Sequence, residues 1–221
     1  MSGIVLLSGG LDSAVSLSQA LREGEVKLCL TFDYGQRARL KELESSAQIA
    51  GYYKLNHRVI ALPFLKDITF TSLVNTEEDV PEPDEADLDD AGKMDRTAKS
   101  VWVPNRNGVF INIASAFAES LGCSRVVTGF NAEEARTFPD NSREYLQACN
   151  RALSFSTMSG VRVVSYTQML DKVEIVRLGK RLGTPLEHVW PCYFGGEKIC
   201  GRCESCKRYI RAIKAAGDED A

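Results

Sequence analysis

Histidine is nearly missing from this chain: His57 and His188 are the only two in 221 residues. His57 falls in an apolar, strand-like run and His188 precedes a cysteine-rich stretch. Neither adjoins a candidate serine or cysteine nucleophile, so a Ser-His-Asp hydrolase has no basis here. No apolar run approaches the roughly 20 residues that cross a bilayer. No basic-then-apolar leader opens the chain either, so the expected setting is the cytoplasm, with no membrane partner. Excess positive charge is also lacking, since 27 Lys and Arg stand against 30 Asp and Glu, a net −3. That balance argues against an extended nucleic-acid interface, which needs a basic surface. No internal repeat is present, which sets aside solenoids and propellers.

The chain does contain a regular alternation of apolar patterns, within an ordinary globular composition of 44% hydrophobic and 26% charged residues. "GIVLL" reads as a buried strand, and residues 12–22 as a helix with Ala14, Leu17 and Leu21 on one face. "VKLCLTF" is a second strand. A helix follows with Leu40, Leu43 and Ala47 inward and Gly51 at its C-terminal cap. "LNHRVIALP" is a third strand, ended by Pro63. The segment 76–93 then carries nine carboxylates and two prolines, which reads as a solvated loop or mobile flap. After "VPNRN" comes an amphipathic helix with Phe110, Ile113, Ala114, Phe117 and Leu121 in register. "RVVTG" and "VRVVSY" are the fourth and fifth strands, separated by a helix that Gly160 closes. Residues 171–182 form a helix stopped by Gly183 and Pro185, a last helix begins near Cys203, and the tail "GDEDA" is expected to fray.

Strands that are apolar along their whole length and alternate with helices predict an α/β fold, a Rossmann-like, doubly wound parallel sheet of about five strands. In such sheets ligands sit at the carboxyl ends of strands, near a switch point. "SGGLDS" (Ser8 to Ser13) lies there, between a strand and a helix. Its glycines let backbone N–H groups approach an anion at a helix start. It nevertheless lacks the lysine that a G-x-x-x-x-G-K-[ST] loop requires. Asp12 has two readings, a helix cap or a Mg²⁺ ligand, and Ser13 either caps or donates to phosphate.

The loop resembles the PP-loop of the ATP pyrophosphatase superfamily, whose members cleave ATP between the α and β phosphates and pass AMP to a substrate oxygen. That resemblance implies an adenine nucleotide alpha hydrolase-like fold and a grip on pyrophosphate, which accounts for the missing lysine. It also implies nucleotide contacts from Leu7, Ser8, Gly9, Gly10, Leu11, Asp12, Ser13, Ala14, Val15, Ser16 and Leu17. Together with "TFDYGQR", "VPNRNGVF", "TGFNAEEARTFPDNSREY", "DKVEIVRLG" and "CYFGGEKICGRCESC", the chain resembles the 7-cyano-7-deazaguanine synthase (QueC) family. The implied substrates are 7-carboxy-7-deazaguanine, ammonium and ATP with Mg²⁺; a homodimer is implied too. Two departures stand out. Ala38 replaces a frequent His after "YGQR", and "PDNSR" (Pro139 to Arg143) replaces a frequent "PDCR". They keep open another adenylating activity, on a different base, a tRNA to be thiolated, or a protein carboxylate.

Cysteine is abundant, with seven residues, four of them spaced C-x7-C-x2-C-x2-C as Cys192, Cys200, Cys203 and Cys206. In a cytosolic chain this spacing reads as a metal site rather than disulfides. Four thiolates suit a closed, structural Zn²⁺ site, and the family resemblance implies zinc as well. An iron–sulfur cluster is the competing reading. Lys198, Arg202, Lys207 and Arg208 would offset the thiolate charge. Cys29, Cys123 and Cys149 read as ordinary buried residues.

Arg106, followed by Asn107, is expected to hold a carboxylate or phosphate, or else to be an exposed residue of a helix start. Asp33 and Tyr34, with Gly35 and Gln36, end the second strand, where adenine or ribose contacts are expected. Gly129, Asn131 and Glu133 end the fourth strand and face the same crevice. Glu134 and Asp140 are candidate Mg²⁺ ligands, as hard oxygen donors. The expected organisation is an ATP-binding domain over residues 1–186 and a small zinc-binding helical appendage over 187–221. That leaves no length for a glutaminase domain, so the amine comes from free ammonium or a partner.

Overall fold

The computed structural model describes residues 1–217; the end of the tail expected to fray lies outside the described residues. Strands β1 (Ser2–Leu6), β2 (Glu25–Asp33), β3 (His57–Ala61), β4 (Arg125–Thr128) and β5 (Arg162–Ser165) form one sheet in the order β3-β2-β1-β4-β5. Every pairing is parallel. The helices are α1 (Leu11–Glu23), α2 (Arg39–Tyr52), α3 (Pro63–Asp67), α4 (Ala91–Ser100), α5 (Arg106–Ser120), α6 (Arg143–Ser156), α7 (Lys172–Leu182) and α8 (Glu204–Gly217). Chain order reverses direction between β1 and β4, so the loop leaving β1 opens at the switch point of the sheet.

Successive residues of a strand face opposite sides, and that alternation builds the core. Ile4, Leu30, Phe32 and Val126 pack on one side with Ile111, Ala114 and Ala118 of α5. Val5, Cys29 and Val127 pack on the other with Ala14 and Leu17 of α1 and Ile49 and Ala50 of α2. A third cluster joins Leu11 and Val15 of α1 to Ile175 and Val176 of α7 and to Ala212 and Ala216 of α8. The start of α1 is thereby clamped between the sheet and the C-terminal helix.

Three sequence expectations are corrected here. In α2, Leu40 is 69% exposed and Ala47 is exposed, whereas Ser45, Ser46, Ile49 and Ala50 turn inward. Ser45 is buried because its hydroxyl donates to the carbonyls of Gly9 and His188, and hydropathy spacing does not register such a demand. Gly51 lies inside that helix, which runs on to Tyr52. In α5, Ala114 is buried as expected, but with Ile111 and Ala118. Phe110, Ile113 and Phe117 pack against the same core, Phe110 stacking on Phe32 with ring centroids 4.1 Å apart; Leu121 departs, lying beyond the helix and 42% exposed.

The acidic segment 76–93 keeps most of its carboxylates exposed, as expected of a solvated loop, but it is anchored to the fold rather than a free flap. It holds a 3-10 turn over Glu85–Asp89, and the Asp90 side chain caps α4 by accepting from the backbone of Gly92 and Lys93. Cations of the C-terminal segment meet its charge: Arg202 pairs with Glu82 at 3.0 Å and Arg211 with Asp89 at 2.8 Å. Lys207 donates to the Pro83 carbonyl and Arg208 to that of Leu88. Val80 and Leu88 are buried among these carboxylates, Val80 beside Cys192, Cys203 and Cys206. The predicted use of Arg202, Lys207 and Arg208 to offset thiolate charge is likewise redirected to carboxylates and carbonyls.

Leu88 is 1% exposed, so Leu88→Ala should destabilise the fold by about 2–5 kcal/mol. A solvated loop would tolerate it within about 0.5 kcal/mol. The urea midpoint of the variant against wild type decides between the two.

Candidate active site

The loop after β1 is held by its own hydroxyls and by neighbouring elements. Ser13 Oγ donates to the Gly10 carbonyl at 2.9 Å and accepts from the Ser8 amide at 3.2 Å, while the Gly10 amide donates to Ser8 Oγ. Gly9 sits at φ +84°, where a Cβ would meet Ser45 Oγ at 2.8 Å and the Glu42 carbonyl at 2.9 Å. Its own carbonyl accepts from Ser45 Oγ and from the Trp190 amide, each at 2.9 Å. Gly129, at the end of β4, lies so close that a Cβ would come within 2.7 Å of the Ser13 nitrogen. The N-cap of α1 is Gly10 and no side chain caps the helix, so its first amides stay available to an anion.

Lys172, the first residue of α7, reaches across this helix start. Its ammonium lies 2.6 Å from Asp12 Oδ2 and 2.7 Å from Glu134 Oε1. The helix is set there by a reciprocal cap: Asp171 Oδ1 accepts from the Glu174 amide, and Glu174 Oε2 accepts from the Asp171 amide. Burial pushes the Asp12 carboxyl up to about 6; Lys172 opposes that rise and Glu134 adds to it. Burial opposes the charge of Lys172, but the two carboxylates outweigh it and hold its pKa above the usual lysine range. Asp12 Oδ1 is buried and has no hydrogen-bond partner among the described residues. An orphan carboxylate oxygen at a phosphate-type helix start fits a Mg²⁺ ligand, a hard cation that takes oxygen donors.

Three cavities meet around these residues, and Glu134 lines all of them. The largest, about 250 Å³, has an apolar wall of Leu6, Leu7, Leu30, Phe32, Phe110 and Phe130, with Ser8, Asp12, Ser13, Tyr34, Arg106, Asn107 and Gly129. A second, about 140 Å³, lies over the start of α1 between Gly10, Leu11, Asp12, Lys172, Tyr193 and Ser205. A third, about 150 Å³, lies under the C-terminal segment, between Phe138, Tyr193, Glu204 and Arg208, and opens past Arg106 and Asn141.

Arg106 lines both the first and the third cavity. Asn105, at φ +52°, turns the chain into α5, and Arg106 Nη1 donates to the Tyr34 hydroxyl at 3.0 Å. Burial works against the charge of this guanidinium, while Tyr34, Asp140 and Glu42 outweigh it and raise its pKa. Glu42 in turn accepts from Gln36 Nε2 at 2.7 Å, and Gln36 Oε1 accepts from the Tyr34 amide, so "DYGQ" builds the wall behind Arg106.

The structure therefore gathers Leu7, Ser8, Gly10, Leu11, Asp12, Ser13, Tyr34, Arg106, Asn107, Gly129 and Glu134 at one place. Ala14, Val15, Ser16 and Leu17 are fully buried and line none of the three cavities, on the packing side of α1. Gly9 shapes the turn from behind. Asp33 caps its own turn by accepting from the Gly35 amide, and Asp140 sits behind Arg106 rather than on a cavity wall. Of the two departures, Ala38 is buried at the start of α2 beside Gly195. Asn141 faces two cavities, and Ser142 caps α6. Lys172, Glu42, Ser45, Tyr193, Glu204 and Ser205 escaped the sequence reading. Only Lys172 carried a signal, as a lysine directly after a helix-capping Asp.

The thiols of Cys192, Cys200, Cys203 and Cys206 lie within 4.8 Å of one another, with Cys200 and Cys206 Sγ 3.8 Å apart. A tetrahedron with metal–sulfur bonds of about 2.3 Å has an edge of about 3.8 Å. Cys192 Sγ accepts from the amides of Phe194 and Cys200, and Cys200 Sγ from those of Arg202 and Cys203. Such amides favour thiolate, so the donor set fits a closed four-sulfur metal site.

A family profile described as "Queuosine biosynthesis protein QueC" matches residues 2–217. The chain is 59% identical to the 7-cyano-7-deazaguanine synthase of Pelotomaculum thermopropionicum, over 98% of each protein. It is 48% identical to that of Methanosarcina mazei, over 100% of this chain and 96% of the other. A solved 4-thiouridine synthetase–RNA complex with bound ATP superposes at a TM-score of 0.50 and 20% identity, over 99% of this chain and 52% of that one. At that identity the likeness is one of fold. The match over nearly its full length places this chain in the QueC family.

Proposed function

We propose that this chain is an ATP-dependent ligase that converts 7-carboxy-7-deazaguanine and ammonia into 7-cyano-7-deazaguanine. The observation that carries the reading is the uncapped start of α1, opening onto the same space as Lys172 and Arg106. The apolar cavity between β1, β2 and α5 suits adenosine, and the cavity over α1 suits the pyrophosphate.

A carboxylate is a poor electrophile because it would have to expel oxide. In the proposed first round its oxygen attacks the α-phosphorus, pyrophosphate leaves, and an acyl adenylate forms. Ammonia adds to the carbonyl carbon, and AMP and a proton leave, giving the amide. In the second round the amide oxygen takes AMP from another ATP with loss of pyrophosphate. Loss of that AMP and of both protons on the nitrogen then gives the nitrile. The loop amides and Ser13 would hold the leaving pyrophosphate, while Lys172 and Arg106 would offset charge that grows on phosphate oxygens. Mg²⁺, held by Asp12, would supply further charge neutralisation at the phosphates. Zn²⁺ at the four cysteines would be structural, with no position open to substrate. The reading carries a cytoplasmic homodimer, with exposed Val59, Phe64, Ile68 and Phe70 beside the β3 edge as the surface it would bury.

Purified protein given 7-carboxy-7-deazaguanine, ammonium, ATP and Mg²⁺ should yield AMP and nitrile by mass spectrometry; the absence of both would overturn the reading. As pH falls through about 6, Asp12 takes up a proton and loses its charge. The kcat/KM for ATP should therefore drop on the acid side of about 6, and a flat profile from pH 5 to 8 would contradict this role. Elemental analysis should find one zinc per chain, lost along with thermal stability in Cys203→Ser. A brown protein absorbing broadly in the visible would replace zinc with an iron–sulfur cluster.

A further inference from the structure

The adenosine and pyrophosphate sites leave the third cavity without a role. Its charged groups are unequally committed. Arg208 donates to Glu204 through Nε at 2.9 Å, to Glu133 through Nη1, and to the Leu88 carbonyl through Nη2 at 2.8 Å. Glu133 is further engaged by Arg211 and by the Lys172 amide. Lys172 lies between Asp12 and Glu134. Two groups remain. Glu204 is only 6% exposed and lines the cavity, yet its Oε2 accepts no hydrogen bond among the described residues. The Arg106 guanidinium, lining both this cavity and the first, has the Tyr34 hydroxyl as its one hydrogen-bond partner among those residues. Phe138, Tyr193, Leu73 and Val101 supply the remaining wall.

A cavity with an open carboxylate at one end, an arginine at the other and aromatic sides selects a particular shape of ligand. It fits a flat heterocycle bearing adjacent N–H donors on one edge and an anionic group on the opposite edge. Resting on the reading above, we propose that this cavity is the base pocket. Glu204 accepts the N1–H and 2-amino donors of the deazaguanine, and Arg106 holds the carboxylate that is to be adenylated. Arg208, with all its groups engaged, orients Glu204 and does not touch the base. The arrangement sets the substrate carboxylate where the first and third cavities join, beside the α-phosphate of a nucleotide in the first. It also gives the first turn of α8, between Cys203 and Cys206, a part in substrate choice.

The test compares wild type with Glu204→Gln, an isosteric change that keeps a partner for Arg208. KM for 7-carboxy-7-deazaguanine should rise by about 5- to 150-fold, the worth of one bidentate base contact. KM for ATP and the zinc content should stay as in wild type. Wild type should also disfavour the analogue lacking the 2-amino group by a similar factor, and Glu204→Gln should not. An unchanged KM for the base in the variant overturns the proposal. So does equal use of the two bases by wild type, a result that needs no variant to fold. Calorimetric binding of the two bases to wild type separates this from the reading it rests on. If wild type discriminates in binding but makes no nitrile, the pocket stands and the reaction falls. If wild type makes nitrile without discriminating, the reaction stands and the pocket falls.

Discussion

The site depends on one buried ammonium. Lys172 joins Asp12 of α1 to Glu134 of the loop after β4, and so ties α7 to both sides of the switch point. Neither carboxylate would be tolerated there alone: without the lysine, two acids would face each other with little water to screen them. Removing one partner of such a buried set typically costs about 3–5 kcal/mol. With one ammonium between two carboxylates the set keeps a net negative charge, and Asp12 holds one oxygen unpaired and buried, so it calls for a cation at that oxygen. Stability and ligand affinity therefore pull on the same three residues.

A second dependence runs through the C-terminal segment. The Trp190 amide and the Ser45 hydroxyl both hold the Gly9 carbonyl, and Ser45 also holds that of His188. The chain that leads into the cysteine cluster is thus part of the loop's scaffold. The acidic segment then closes over the cluster, with Val80 against the cysteines and its carboxylates on Arg202 and Arg211. What composition presents as an unburiable stretch is paired with cations from more than a hundred residues away. Local reading has no means of finding them.

The parts legible in the sequence were those with a local cause. Five apolar strands, the turn at Ser8 to Ser13 and the stop at Gly183 follow from side-chain pattern and backbone freedom within a few residues. The cysteine spacing was equally readable, because two of its gaps span a single turn of chain. The buried face of α2 was not, since a hydroxyl needed at Gly9 overrides the hydropathy period.

The sequence by itself determined the sheet, the turn at Ser8 to Ser13 and the four-thiol set, because each depends on near neighbours in the chain. The tertiary structure alone decided which charges meet: Lys172 with Asp12 and Glu134, Arg208 with Glu133 and Glu204, Arg106 with Tyr34. A charge left unpaired in a buried place is costly, and its partner is chosen by the fold, not by distance along the chain. For that reason the phosphate-type turn could be read from six residues, whereas the cavity lined by Glu204 and Arg208 emerges only once α8 is packed against α7 and the acidic segment.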